Sequence, residues 1–381
     1  MAGGVVPFFD LGPGGLPLAL AQGLAIAALF SAFGTLLFLG LLAPRAVDGG
    51  QKQPGLAEAL RRCRCLAKLS LASALVLLLV WLGLETVVMD QATALSQAIP
   101  ALAVVVATTN FGHLILGQCL LLAAAGLILF YPGPGPGLGL GPRPAAALAG
   151  AATALQAWHL HAAAMSDGLS LLLIVEILHV LAAAAWLGTL VPLALFVGLA
   201  PPVTGAAACR RYLWFGSACV LVLAVTACWQ GMILIGGWHA LIASAYGWMA
   251  LVKLALFAIL IGFAWYNHFR LAPPLLGADP AAAGRTLARN ILREAVAGLL
   301  ILLAAAVLAS LPPGMDMTMQ GRANPGTIAP AAVAVSVLIA PEFPGSALKP
   351  AGRWLRPEGA RRRRYRSTPR PANERIEARS R

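Results

Sequence analysis

The sequence predicts an all-α fold, a polytopic transmembrane helix bundle of about eight spans, possibly two related four-helix halves. Three observations carry this expectation. Hydrophobic residues make up 60% of the chain and charged ones 11%. Apolar runs of about 20 residues, the length that carries a helix across the hydrocarbon, recur along it. Arg and Lys gather in short segments between these runs. A mean hydropathy of +0.82 leaves too little polar surface to solvate 381 residues in water, so lipid is the main solvent.

The first run, residues 17–43, is longer than a signal-peptide core and follows no basic segment, so it reads as an uncleaved span. The others are 66–88, 111–131, 145–165, 170–197, 213–236, 247–267 and 291–310. Arg45, Lys52, Arg61, Arg62 and Arg64 lie between the first two, Arg210 and Arg211 between the fifth and sixth, and Arg270, Arg285, Arg289 and Arg293 between the last two. The positive-inside bias places these loops in the cytoplasm, so both ends of the eight-span bundle, and the N-terminus, face outward.

Residues 1–131 form an N-terminal transmembrane half, and 132–144, where Gly and Pro nearly alternate, a hinge loop that cannot continue a helix. Residues 145–312 form a C-terminal half. Residues 313–381 are an extra-membrane tail with Met315, Met317 and Met319 and an Arg-dense stretch at 361–364, read as disordered. The halves look alike. Thr109, Asn110, Phe111 and Gly112 head an apolar run containing Gln118, as Ser244, Ala245, Tyr246 and Gly247 head one containing Lys253. The stretch from Arg64 to Trp81 likewise resembles that from Arg211 to Trp229. Internal repeats are common in transport proteins and often place a site at the repeat interface.

The net charge of +13 follows the span boundaries and the tail, a topology signal and not a nucleic-acid footprint. Six scattered cysteines offer no disulfide framework. No Walker loop, dinucleotide fingerprint or Ser-His-Asp set is present, which argues against ATP-driven pumping and against an enzyme of those classes.

Ionisable residues inside spans are costly, so each is a functional candidate. His179 lies within the fifth span, with Glu176 one turn before it and Trp186 two turns after it on roughly one face. It either ligates or bonds a neighbouring helix. His159, His161 and Met165 stand at the outer end of the fourth span, and His161 and Met165 share a face. Imidazole with thioether favours copper, Cu(I) above all. His113, Met232 and His239 belong to the same outward side, where interfacial anchoring beside Trp238 is the plainer alternative. Lys253, two turns into the seventh span, either pairs with Glu176, repels a cation or snorkels outward. Cys63 and Cys65 form a C-x-C in the first cytoplasmic loop, too few thiols for a closed site.

From Trp158 to Pro312 the chain resembles the copper resistance D family. The matching residues are His161 with Ala162, Ala163 and Ala164, and the helix carrying Leu178, His179, Val180, Leu181, Ala182 and Ala183 with Trp186, Leu187 and Gly188. Arg211–Tyr212, Tyr246–Gly247, Lys253, Tyr266–Asn267, Arg293–Glu294 and Leu311–Pro313 follow in the family's order. The first half resembles the family only in span number and in Thr109, Phe111 and Gly112. Leu160 stands where the family has Gly before its first motif histidine, which questions close backbone approach there.

The resemblance implies a multi-pass protein of the bacterial inner membrane that moves copper, often beside a periplasmic copper-binding partner. It carries the family's histidines onto His161 and His179; Met165, His159, His113 and His239 are added from topology. Two rivals stand beside copper transport: a transmembrane haem electron-transfer protein and a copper sensor or scaffold that moves nothing. Against the first, His161 lies near the surface while His179 is roughly 15 Å deep by helix rise, so the pair is not level.

Overall fold

The computed structural model describes residues 14–43, 54–91, 95–130, 141–159, 171–235, 241–242 and 244–311. The chain divides into two units, Met1–Pro341 and Glu342–Arg381, and every described residue belongs to the first. Residues 132–140 of the hinge, Met315, Met317, Met319 and the Arg-dense tail lie outside the described residues.

Among the described residues the α-helices follow in order: α1 Gly15–Leu37, α2 Pro54–Asp90, α3 Leu95–Thr108, α4 Asn110–Phe130, α5 Pro142–Ala154, α6 Leu171–Gly188, α7 Leu190–Leu199, α8 Pro202–Leu234, α9 Ala245–Tyr266 and α10 Pro280–Ala309. π-turns extend α1 over Phe38–Leu42 and α9 over Asn267–Leu271. There is no strand among the described residues. Seven helical segments are long and apolar enough to cross a bilayer, and the fold is an all-α polytopic bundle.

The fourth expected span differs from the rest. Residues 145–165 are met by α5, which tightens into a 3-10 turn at Leu155–His159, and residues 160–165 lie outside the described residues. Its α-helical part is too short to cross alone. The fifth span breaks at Thr189 into α6 and α7. Pro192 causes this break: it has no N–H to return to the carbonyl of Gly188, and Thr189 gives its hydroxyl proton to the carbonyls of Ala185 and Trp186. The short α3, with Pro100 inside it, was not expected as an element.

Small residues place α1 at the centre, packed on α2, α5, α6 and α10. Gly34 and Gly188 touch backbone to backbone, so a Cβ on either would overlap the other helix. Gly23 accommodates Leu303 and Ala306 of α10 in the same way. Further small or buried residues of α1 (Ala25, Leu29, Ala32, Leu36) close the core between α2 and α5. Ser31 and Ser70 share a hydrogen bond of 2.8 Å that ties α1 to α2.

The arginines fall at one end of the bundle, the basic end. Arg143 donates to the carbonyl of Gly40 at 3.1 Å and Arg211 to that of Ala43, so the start of α5, the end of α1 and the start of α8 meet there. Lys68 sits 4.4 Å over the ring of Phe130 at the end of α4. Large apolar side chains on the other side of α8 and α9 (Trp214, Leu221, Val225, Leu254, Trp265) point outward, the faces that lipid covers.

Candidate functional site

Two buried polar clusters lie at different depths in the C-terminal part of the bundle. The first is on α6 and α8, which pack side by side. Glu176 and His179, one turn apart on α6, turn the same face toward α8. Gln230 donates from Nε2 to Oε2 of Glu176 at 2.8 Å. One turn along, Nδ1 of His179 lies 2.8 Å from the hydroxyl of Thr226. That hydroxyl already gives its single proton to the carbonyl of Val222 at 2.7 Å, as helical threonines do. With its proton given there, the hydroxyl accepts from an Nδ1–H of the ring, the tautomer whose Nε2 lone pair suits a metal.

Lys253 reaches this cluster from α9 and acts electrostatically on both Glu176 and His179. It makes no contact ion pair with Glu176; the ion pairs within 4.0 Å among the described residues are those of Glu58 with Arg61 and Arg62. The carboxylate is instead held by an amide.

Below this cluster, toward the basic end, lies an apolar layer. Trp186 of α6 is fully buried and meets Phe257 of α9 edge to face, ring centroids 5.9 Å apart. Leu223, Leu260, Ala297 and Ile301 fill the rest, and Cys219 lies in the same layer.

The second cluster follows that layer. Asn267, in the π-turn after α9, donates to Oε2 of Glu294 on α10 at 2.7 Å and accepts at Oδ1 from Asn290 at 2.6 Å. All three are buried, and Oε1 of Glu294 has no partner. Tyr212 of α8 stands nearby, its hydroxyl donating to the carbonyl of Trp186 at 3.3 Å. The π-turn is what aims Asn267 inward, and such turns recur at functional positions.

The N-terminal half holds different chemistry. His159 sits in an aromatic cage, its ring 4.9 Å from Trp81 and 5.3 Å from Phe111, with Nε2 buried and unpartnered. His113 is exposed and spends Nε2 on the backbone carbonyl of Ala107 at 3.1 Å. His113 and His159 therefore share one end of the bundle but not one pocket. Gln118 donates to the carbonyl of Ala152 and to Gln156, a neutral pair. His161, Met165 and His239 lie outside the described residues. Cys63 is buried and donates to the carbonyl of Pro192 while Cys65 is exposed, so the C-x-C does not converge on one point.

Among the described residues no group of three or more His, Cys, Asp or Glu side chains is arranged to hold a metal ion. Sequence reasoning named Glu176, His179, Trp186 and Lys253, and the bundle brings these to neighbouring levels. It missed Thr226 and Gln230 as partners of α6. It noted Asn267 and Glu294 only as parts of a motif and passed over Asn290. A polar residue every turn or two in an otherwise apolar helix was the available signal.

A bundle of membrane-spanning helices that buries an acid, an imidazole and an ammonium on facing helices defines a polytopic membrane protein with a polar interior. Residues 14–172 match the copper resistance protein D-like N-terminal domain, and residues 206–308 match copper resistance protein D. Together the matches cover more than half of the chain, which belongs to the copper resistance D family and is a multi-pass, copper-resistance-related membrane protein. The first match extends well beyond the motifs that suggested it. Glu176, His179 and Trp186 fall between the two matched segments, whereas Lys253, Asn267 and Glu294 fall inside the second. No curated protein and no solved structure matches the chain.

Proposed function

We propose that this protein carries copper across the bacterial inner membrane, taking it up at the end that bears His113 and His159 and passing it along α6 toward the basic end. One observation carries the reading: His179, inside the bundle, has its Nδ1 2.8 Å from the hydroxyl of Thr226, an outer partner of the kind that orients an imidazole for ligation through Nε2. Copper is the cargo, so a site with few ligands suits it; a closed cage would hold the ion too tightly to release it.

Glu176, fixed by Gln230, lies one turn nearer the entry end and offers a negative charge to an arriving cation. His161 and Met165 supply imidazole and thioether ahead of it, the soft donor set that favours Cu(I). Lys253 opposes cations by its charge, so it limits how long an ion rests beside His179. The membrane potential supplies about 2.3 kcal/mol per charge per 100 mV, enough to drive movement toward a negative interior. A cytoplasmic basic end follows from the positive-inside bias and puts the N-terminus in the periplasm, where a copper-binding partner delivers the ion.

Proteoliposomes loaded with the full chain test this. Wild-type protein is expected to take up copper, and His179→Ala and the His161→Ala, His179→Ala double variant to lose that uptake while eluting as folded protein. Binding of copper with no flux would reassign the protein as a sensor or scaffold. A haem absorption band in the purified protein would replace transport with electron transfer.

A further inference from the structure

We propose that Glu294 is a proton-binding site inside the membrane, carrying a proton when the path is empty and giving it up to the basic end when a cation arrives. The coupling to copper rests on the transport reading above; the protonation itself does not.

The geometry is that of a neutral acid. Glu294 is 2% exposed and about one turn inside the apolar part of α10. Its hydrogen-bond partner is a neutral amide, Asn267, at Oε2, and Oε1 is buried without one. An ionised carboxylate in this setting costs several kcal/mol unless a cation or several donors answer it. Asn267 is itself oriented by Asn290, so the relay amide–amide–acid is fixed from both sides.

The groups facing Glu294 from its neighbours supply no counter-charge. Helices α1 and α7 and the 3-10 turn Pro273–Leu276 contain no titratable residue. Helix α8 contributes the Tyr212 phenol and, further along, the Cys219 thiol, while its Arg210 and Arg211 are exposed. In the π-turn, Arg270 is exposed and His268 is half-buried beside Phe269. Lys253 of α9 lies 14 residues before Asn267, roughly 20 Å away by helix rise. On α10 itself Arg285, Arg289 and Arg293 are all exposed. The proton is thus the only charge available to hold Glu294 neutral among these residues.

In the proposed step only the O–H bond of the carboxyl breaks. The proton passes to water at the basic end, the carboxylate remains, and the positive charge of the arriving ion replaces that of the proton. Tyr212, between the Trp186 carbonyl and this carboxyl, stands where the ion would leave the apolar layer.

Infrared spectra of the full chain in lipid decide the protonation. The wild type is expected to show protonated-carboxyl C=O absorption at neutral pH, with one component lost in Glu294→Gln and that component retained in Glu85→Gln, which removes another buried carboxyl. Loss of carboxylate absorption in Glu294→Gln, with the protonated band intact, would overturn the proposal. If Glu294→Gln does not fold, Asn267→Leu replaces it: removing the donor should move the same band to higher frequency, and an unmoved band counts against the assignment. A pH dye inside proteoliposomes then reads the coupling. Copper uptake should carry a proton signal in wild type that Glu294→Gln abolishes; an equal signal in both ends the coupling. Should wild-type protein move no copper, the transport reading falls alone and the infrared result still decides Glu294.

Discussion

The helices α4 and α9 begin alike and then diverge. At the start of α4 the hydroxyl of Thr109 accepts from the N–H of Gly112 at 3.0 Å; at the start of α9 the hydroxyl of Ser244 accepts from Gly247 at 2.9 Å. These are the same N-terminal cap, three residues apart, with the glycine pressed against preceding backbone. A Cβ on Gly112 would overlap Val105 and Val106, and one on Gly247 would overlap Leu241. Six residues beyond each glycine the chemistry parts. Gln118 pairs with Gln156 and is neutral, whereas Lys253 faces Glu176 and His179 with a charge.

The difference lies in what each polar residue meets. One helix entry, used twice, sets two polar residues at equal depth; the first is closed by an amide pair, the second left beside an acid and an imidazole. The partner tryptophans diverge too. Trp81 is buried against His159, while Trp229, its counterpart in sequence, is exposed. An aromatic cage consolidates the first half, and the second sets an acid, an imidazole and an ammonium at neighbouring levels.

Five substitutions, in three sets, sharpen this contrast. The largest effect is expected from Thr226→Val, which keeps shape but removes the acceptor for His179 Nδ1. Loss of an outer-shell partner weakens metal binding about 10- to 100-fold. Copper titration of the purified protein measures it; unchanged affinity would detach His179 from the site. The neutral pair offers the matching control, since Gln118 has no such link to His179.

Next come the glycines. Gly112→Ala and Gly247→Ala should each destabilise the fold by about 1–3 kcal/mol, because the obstructing atoms are backbone and cannot swing aside. Thermal unfolding in detergent reports both. If only one is damaging, the two helix entries are not equivalent and the duplication is weaker than it looks.

The smallest effect belongs to the caps. Thr109→Ala and Ser244→Ala each remove one hydrogen bond to a helix N-terminus, worth about 1 kcal/mol. Similar losses in both variants would support a shared origin for the halves. Copper movement should change more with Ser244→Ala, since α9 carries Lys253, and that ordering is checked in the same proteoliposomes.

Much of this was readable without coordinates. Span-length apolar runs located seven of the crossing helices within a few residues at most ends, because lipid leaves the backbone no alternative to a helix. The exceptions had local causes. α2, α8 and α10 begin earlier than their apolar runs, since a helix continues into the basic end wherever its polar side chains reach water. Within the fourth span, the described helix tightens into a 3-10 turn at Leu155–His159. Glu176 and His179 stood out because charge and imidazole are rare inside such runs.

By itself the sequence determined the solvent, the fold class, the basic end and the polar stripe of α6, since each depends on composition or on spacing along one helix. Only the tertiary structure decided what that stripe meets. Thr226 and Gln230 lie some fifty residues away, and nothing in a single helix tells which neighbour its polar face will find. The partners of Glu176 and His179 follow from that packing, as the contact of Glu294 with Asn267 follows from the packing of α9 on α10. Hydrogen bonds between helices are a property of packing, and packing is set by small residues such as Gly34 and Gly188 that let distant segments touch.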